Sequence, residues 1–390
     1  RFSFQMDADG MSISRRQFIL GGSSLTLIGH PIFNVRAANQ RKKNLIVIML
    51  RGGMDGLTAV PSADDQLKVL RPNILVNETV KLEEGFSLHP KLKTFASLFG
   101  KNQAAVVHST NIPYTKRSHF EGQNQMETGA LSPYTELTGW LGRGIDAAEL
   151  NGLAISLQMP LLLRGRISAD NYFPTTIGVP GKHIFEKISS SFDEGSDLKR
   201  AMDSINARPR NMLTARWEDR KPLRLAETAA DQLRREDGPR IAVFDLDGFD
   251  THAAQGGADG EHGEKLNQYD KILGVLNEGL GPVFDDTLIL TLTEFGRKIE
   301  ENGGYGTEHG YGTAILMAGG LLKKAQILAD WPGLKSNNLF EGQDLNATID
   351  ARAVYCSAMS ACFEVDFSYM RKQAFWDHPL PDLTDKLFKV

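Results

Sequence analysis

Six short runs rich in apolar and β-branched residues recur along the chain, at positions 44–50, 104–108, 153–157, 240–246, 287–292 and 314–317. They are continuous rather than alternating, the pattern of strands buried on both faces. Between them lie stretches with helical spacing, at 90–99, 120–128, 136–148, 211–235 and 263–280, with one more at 349–362. Strands alternating with helices predict an α/β fold of three α/β/α layers around a mostly parallel central sheet. In such sheets ligands bind beyond the carboxyl ends of the strands, so the residues following each run are the candidates for chemistry.

Two regions break this rhythm. The segment from about 170 to 237, with Pro174, Pro180, Pro209, Pro222 and many charges, lacks strand spacing and reads as an irregular cap or insert. Near the N-terminus, Ser14-Arg15-Arg16-Gln17-Phe18-Ile19-Leu20 sets paired arginines before an apolar run to about Phe33, and Val35-Arg36-Ala37 offers a cleavage site. This resembles a twin-arginine export signal. Gly21, Gly22, Ser23, Ser24, Gly29 and His30 dilute the run too much for a stable membrane span. The expected organisation is a signal peptide over 1–37, with an extension before a start at Met11 or Met6, and one domain over 38–390. The expected location is the periplasm or the exterior, reached through the twin-arginine export machinery.

Charge and cysteine content narrow the function. Against 44 basic residues stand 48 acidic ones, a net charge of −4, which disfavours a protein that lives on nucleic-acid phosphates. Two cysteines can build neither a thiolate cluster nor a cysteine-rich zinc site. Cys356 and Cys362, six apart in a helical stretch, are separated by roughly 9 Å along its axis and are expected as free, buried thiols. A twin-arginine cargo often folds around its cofactor before export, and a metal held by histidine and carboxylate is the simplest one left.

The strand-end residues suit such a metal. Asp55, in Arg51-Gly52-Gly53-Met54-Asp55-Gly56, is either a hard-metal ligand or a turn residue. Ser118 lies at the start of a helix, where free N–H groups favour an anion or an ionised alkoxide, or where serine is a simple cap; Arg117 and His119 flank it with positive character. In extended backbone Asp250 and His252 point the same way, so one segment can offer a carboxylate and an imidazole. Glu294 offers another oxygen and Arg297 an oxyanion clamp, unless the two serve in salt bridges. His309 closes a glycine-rich loop as a further imidazole or a plain loop histidine.

The motifs GGMDGL, LHPKL, RSHFEGQNQMETG, FDTHAAQ, TEFGRK and GTEHGYG resemble the secreted proteins of the DUF1501 family. That resemblance implies an alkaline phosphatase-like fold in the superfamily of phosphatases and sulfatases, which use a hydroxyl or formylglycine nucleophile beside metal ions. Carried over, it implies Ser118 as nucleophile and Asp55, Asp250, His252, Glu294 and His309 as metal ligands; Arg117 or Arg297, read from their own positions, would bind the oxyanion. This chain departs from the pattern in having Asp250-x-His252 in place of a wider spacing, Phe295 where the second ligand of a pair is usual, and Glu308 where the family mostly has Asp. No formylglycine setting surrounds Ser118, and no G-x-S-x-G elbow does either. The expected activity is hydrolysis of phosphate esters, with sulfate esters the lesser alternative, on a small-molecule or polysaccharide-linked substrate. Carboxylate mixed with imidazole suits Zn²⁺ or Mn²⁺ above Ca²⁺. The competing expectation is an inactive binding or cell-surface module on the same scaffold.

Overall fold

The computed structural model describes residues 42–390 except 84, 167–168, 175–181, 197–198, 200–201, 204–216, 237 and 390. The segment over 1–37 that resembles an export signal therefore lies outside the described residues, as does much of the irregular stretch around 170–237. Residues from Lys42 onward form one compact unit.

Its centre is a sheet of nine strands. β1 (Asn44–Arg51) pairs in parallel with β7 (Ile241–Asp247) on one side and β8 (Thr287–Leu292) on the other. Beyond β7 come β5 (Gly152–Ala154) and β6 (Asp170–Asn171); beyond β8 come β9 (Thr313–Ala318), β4 (Ala104–Asn111) and β10 (Gln326–Leu328), with β11 (Ile349–Asp350) also on β4. A separate hairpin joins β2 (Val80–Glu83) to β3 (Phe86–Leu88). Every pairing in the large sheet is parallel except those of β9, which runs against both β4 and β8. The mostly parallel α/β expectation holds. The strands missing from the sequence reading are those of two to four residues, too short to carry a hydrophobic period.

β1 shows why its run is apolar throughout. Leu45, Val47 and Met49 join the core on one face of the sheet, under helices Trp140–Ala148, Ala351–Phe363 and Phe367–Phe375. Ile46, Ile48 and Leu50 join the core on the other, under helices Lys93–Gly100, Pro222–Arg234 and Glu261–Leu280. A strand covered on both faces has no solvent side on which a polar residue is free to stand. Each fully buried side chain of this size contributes roughly 1.5–3 kcal/mol.

Cys356 and Cys362 lie in the Ala351–Phe363 helix as free, buried thiols, and burial pushes both up to about 12. Among the described residues no helix is long and apolar enough to cross a membrane. The registers of β1 with β7 and with β8 leave their carboxyl ends close to level, pairing Arg51 with Asp247 and Met49 with Leu292. The antiparallel β9 begins at that same edge, so the segments after β1, β4, β7 and β8 all open onto it.

Candidate metal centre

Three of these segments bring polar side chains together there. His119 is the first residue of the His119–Thr128 helix that follows β4; Asp250 and His252 follow β7; His309 follows β8. Ligand-capable atoms of His119, Asp250 and His309 all lie within 4.8 Å of one another, the one such group of His, Cys, Asp and Glu among the described residues. His252 joins at the rim, its Nε2 lying 3.0 Å from Asp250 Oδ1 and 2.9 Å from His309 Nε2.

Glycines allow this convergence. Gly52, at φ +116°, sits where a Cβ would come within 2.4 Å of the Asp250 nitrogen, so the end of β1 passes directly against the segment that carries Asp250. Gly122 lets the His119 helix lie against the Glu294 and Phe295 side chains, either of which a Cβ would meet at 3.2 Å. Phe295 then forms an apolar wall against the His119 and His309 rings, with centroids 4.9 and 4.8 Å away.

The outer contacts fix the tautomers. His119 Nδ1 is 2.9 Å from Glu294 Oε1, His252 Nδ1 is 3.0 Å from Glu308 Oε2, and His309 Nδ1 is 2.8 Å from the Arg117 carbonyl oxygen. Carboxylates and carbonyls only accept, so in each neutral ring the proton sits on Nδ1 and the Nε2 lone pair is bare. All three bare nitrogens therefore turn toward Asp250. His119 Nε2 is buried without a hydrogen-bond partner, lying 3.2 Å from Asp250 Oδ2 but not aligned for a bond. Imidazoles held from behind by acceptors, with their lone pairs facing one carboxylate, form a donor set that fits a divalent cation. Nε2 lone pairs of His252 and His309 facing each other at 2.9 Å repel unless a cation or proton lies between them.

The charges agree with this reading. Burial pushes the Asp250 carboxyl up, but the Arg297 guanidinium and His119 outweigh it and hold it below the usual range. The bond to Glu294 overcomes burial and raises His119, whereas burial prevails at His309 and lowers it. Arg297 is buried; its Nη1 donates to Asp250 Oδ1 at 2.9 Å and its Nε to Thr307 Oγ1 at 3.3 Å, while Nη2 has no partner. An unpaired buried guanidinium nitrogen is costly to fold and is an anchor for an oxyanion. Ser118 caps the His119 helix with extended backbone, yet its hydroxyl makes no capping bond; Tyr114 instead holds its backbone, accepting from Ser118 N and donating to Ser118 O at 3.0 Å each.

Three sequence expectations need correction. Asp55 is no arm of the cluster: it caps the short Gly56–Ala59 helix through Leu57 N and Thr58 N and pairs with buried Arg71 through both oxygens. It lies four residues past β1, far enough for the chain to turn down into the core. Glu294 is fully buried, its Oε1 accepting from Gly52 N, His119 Nδ1 and Gln123 Nε2, so it stands behind the His119 ring and does not face the cluster. Arg117 gives Nη2 to Glu341 and Asp344 at 2.9 and 2.7 Å and Nε to the His309 carbonyl oxygen at 3.1 Å, and its own carbonyl oxygen accepts from His309 Nδ1, so its guanidinium is spent on holding the loop. The residues that the sequence reading did not place in the cluster were His119 and Glu308. The signal for His119 was its place directly after a helix-capping serine at a strand-end loop, and for Glu308 its place directly before His309.

Solved structures with a similar layout include a sulfatase, PsFucS1, from Pseudoalteromonas sp., with 12% identity, covering 97% of this chain and 78% of that one at a TM-score of 0.43. They also include the murine ectonucleotide pyrophosphatase / phosphodiesterase 5, with 11% identity, covering 89% of this chain and 100% of that one at 0.43. Alkaline phosphatase from the Antarctic bacterium TAB5 has 12% identity, covering 74% of this chain and 95% of that one at 0.36. At these values nothing of their chemistry transfers to particular residues of this chain. No curated protein sequence matches it. The family model described as "Protein of unknown function (DUF1501)" matches residues 183–356, a span that holds FDTHAAQ, TEFGRK and GTEHGYG, and the resemblance read from those motifs to the DUF1501 family stands.

Proposed function

We propose that the protein is an exported, metal-dependent hydrolase of phosphate esters, with Ser118 as its nucleophile. The observation that carries this reading is the convergence of the His119, His252 and His309 lone pairs on Asp250, beside the unpaired Nη2 of buried Arg297. His119, Asp250, His252 and His309 would hold one divalent ion, and three imidazoles with one carboxylate suit Zn²⁺ or Mn²⁺. Such an ion, when bound, polarises the ester and eases ionisation of an attacking hydroxyl. Arg297 Nη2 binds a non-bridging oxygen of the ester and orients it. Ser118, uncommitted to capping and at the N-terminus of a ten-residue helix, has its alkoxide favoured by the free N–H groups and the dipole. Glu294, Glu308 and the Arg117 carbonyl hold the imidazoles in place. The exposed Asp250 and the half-buried His252 leave the centre open to a small-molecule or polysaccharide-linked ester. Sulfate esters fit less well because the formylglycine setting is lacking. The twin-arginine motif supports delivery to the periplasm or exterior.

The test is elemental analysis of protein purified without chelator or polyhistidine tag, together with turnover of phosphate mono- and diesters. About one metal per chain is expected in the wild type and none in a His252→Ala/His309→Ala double variant. Ser118→Ala should keep the metal and lose turnover by at least about a thousandfold. A folded, metal-free wild type would overturn the reading in favour of a binding module on this scaffold.

A further inference from the structure

Two motif residues, Asp55 of GGMDGL and Gln255 of FDTHAAQ, play no part in the metal centre, yet both are buried beside it. They belong to a hydrogen-bond ring whose proton directions are all determined. Asp55 accepts from Arg71 through both carboxylate oxygens, so its oxygens face only donors. Gln255 Nε2 donates to Asp55 Oδ2 at 2.6 Å, which turns the amide oxygen the other way. That oxygen accepts from Thr307 Oγ1 at 2.6 Å and from Thr251 Oγ1 at 3.1 Å. Thr251, with its hydroxyl proton used, accepts from His262 Nδ1 at 3.2 Å, and His262 Nε2 accepts from Asp55 N at 3.2 Å, closing the ring. Thr307 likewise has only lone pairs left, and Arg297 Nε points into them at 3.3 Å.

We propose that Gln255 is a positioning residue for anion binding, which passes the fixed polarity of the Asp55–Arg71 pair through Thr307 to Arg297 and so leaves the Nη2 of Arg297 free for an oxyanion. The geometry allows no other sense. An amide turned end for end would set its oxygen against the Asp55 carboxylate, and a Thr307 hydroxyl pointed at Arg297 would set donor against donor. Held at Nε by Thr307 and at Nη1 by Asp250, the guanidinium plane cannot rotate to satisfy Nη2 elsewhere. This inference rests on the anionic-ester reading above, and its ligand is a tetrahedral oxyanion, with inorganic phosphate as the probe.

The test measures phosphate affinity by titration calorimetry on metal-loaded protein, with metal content and thermal midpoint recorded for each variant. Gln255→Met and Thr307→Val, close in volume but unable to relay the bond, should each weaken phosphate binding roughly tenfold while keeping the metal. Thr307→Ser, which keeps the hydroxyl, should return affinity to within about threefold of wild type, a rescue that a purely space-filling role would not give. Because Gln255→Met leaves buried groups unpaired and can fail to fold, the Val and Ser pair at Thr307 decides alone in that event. Unchanged phosphate affinity in Thr307→Val overturns the relay while leaving the hydrolase reading intact. A wild type that loads metal but takes up no phosphate overturns both.

Discussion

At the scale of single residues, the candidate site depends on acceptors placed behind the imidazoles. Glu294 is the clearest case, because burial alone would push its carboxyl up, while donors from His119, Gln123 and Gly52 hold it below the usual range. Glu294→Gln keeps the shape but removes the charge that steadies the His119 Nδ1 proton. Metal affinity is expected to fall about tenfold, with Ser118 and Arg297 left in place, as read by competition with a chromogenic chelator. An unchanged affinity would mean that His119 is not a ligand. The residue types at this centre were legible in the sequence, and Asp250, His252 and His309 were picked out there. What was illegible was which carboxylates face the cluster and which lie behind it or away from it, since Asp55, Glu294 and Glu308 look alike until their donors are known.

At the scale of elements, the site is made by strand ends brought level and by a glycine at the point of closest approach. Gly52 combines a left-handed backbone with a Cβ position 2.4 Å from the Asp250 nitrogen, so Gly52→Ala meets both a conformational penalty and a backbone clash. The end of β1 or the 248–252 segment must shift. The expected outcome is a loss of metal affinity larger than that of Glu294→Gln, together with a lower denaturation midpoint, checked by calorimetry with and without added Zn²⁺. The larger strands and the main helices were readable from their apolar runs. The antiparallel sense of β9 was not, because a six-residue apolar strand looks the same in either direction; only the long loop over 293–312, which passes through His309 and returns to the same sheet edge, reverses it.

At the scale of the whole molecule, buried titratable groups away from the site set the response to acid. His108 is fully buried in β4; its Nε2 donates to the Val60 carbonyl oxygen at 3.0 Å and its Nδ1 accepts from Ser109 N at 2.8 Å. A second proton would face an N–H donor, and burial lowers this imidazole from 6.5 to about 4. Between those values the unfolded chain binds a proton that the folded one refuses, so stability is full above about pH 6.5 and is lost as the pH falls toward 4. The loss attributable to this group is about 3 kcal/mol. Urea denaturation of His108→Gln, whose amide can supply both a donor and an acceptor, should show a correspondingly shallower loss over that range, and an identical pH profile would assign the acid sensitivity elsewhere.

The layered α/β arrangement follows from the apolar runs alone, because runs apolar on every residue can only be buried on both faces, and the places where chemistry could stand follow from polar residues clustered at strand ends, which have few other reasons to gather there. The sequence by itself also marked the motif glycines and the histidines that follow them. Only the tertiary structure decided that Asp55 turns into the core to meet Arg71, that His119 swings in to join Asp250, and that Arg297 keeps one nitrogen unpaired. Those outcomes depend on contacts between residues 16 to 242 positions apart, where the competition among donors for a given carboxylate is settled by packing and not by spacing along the chain.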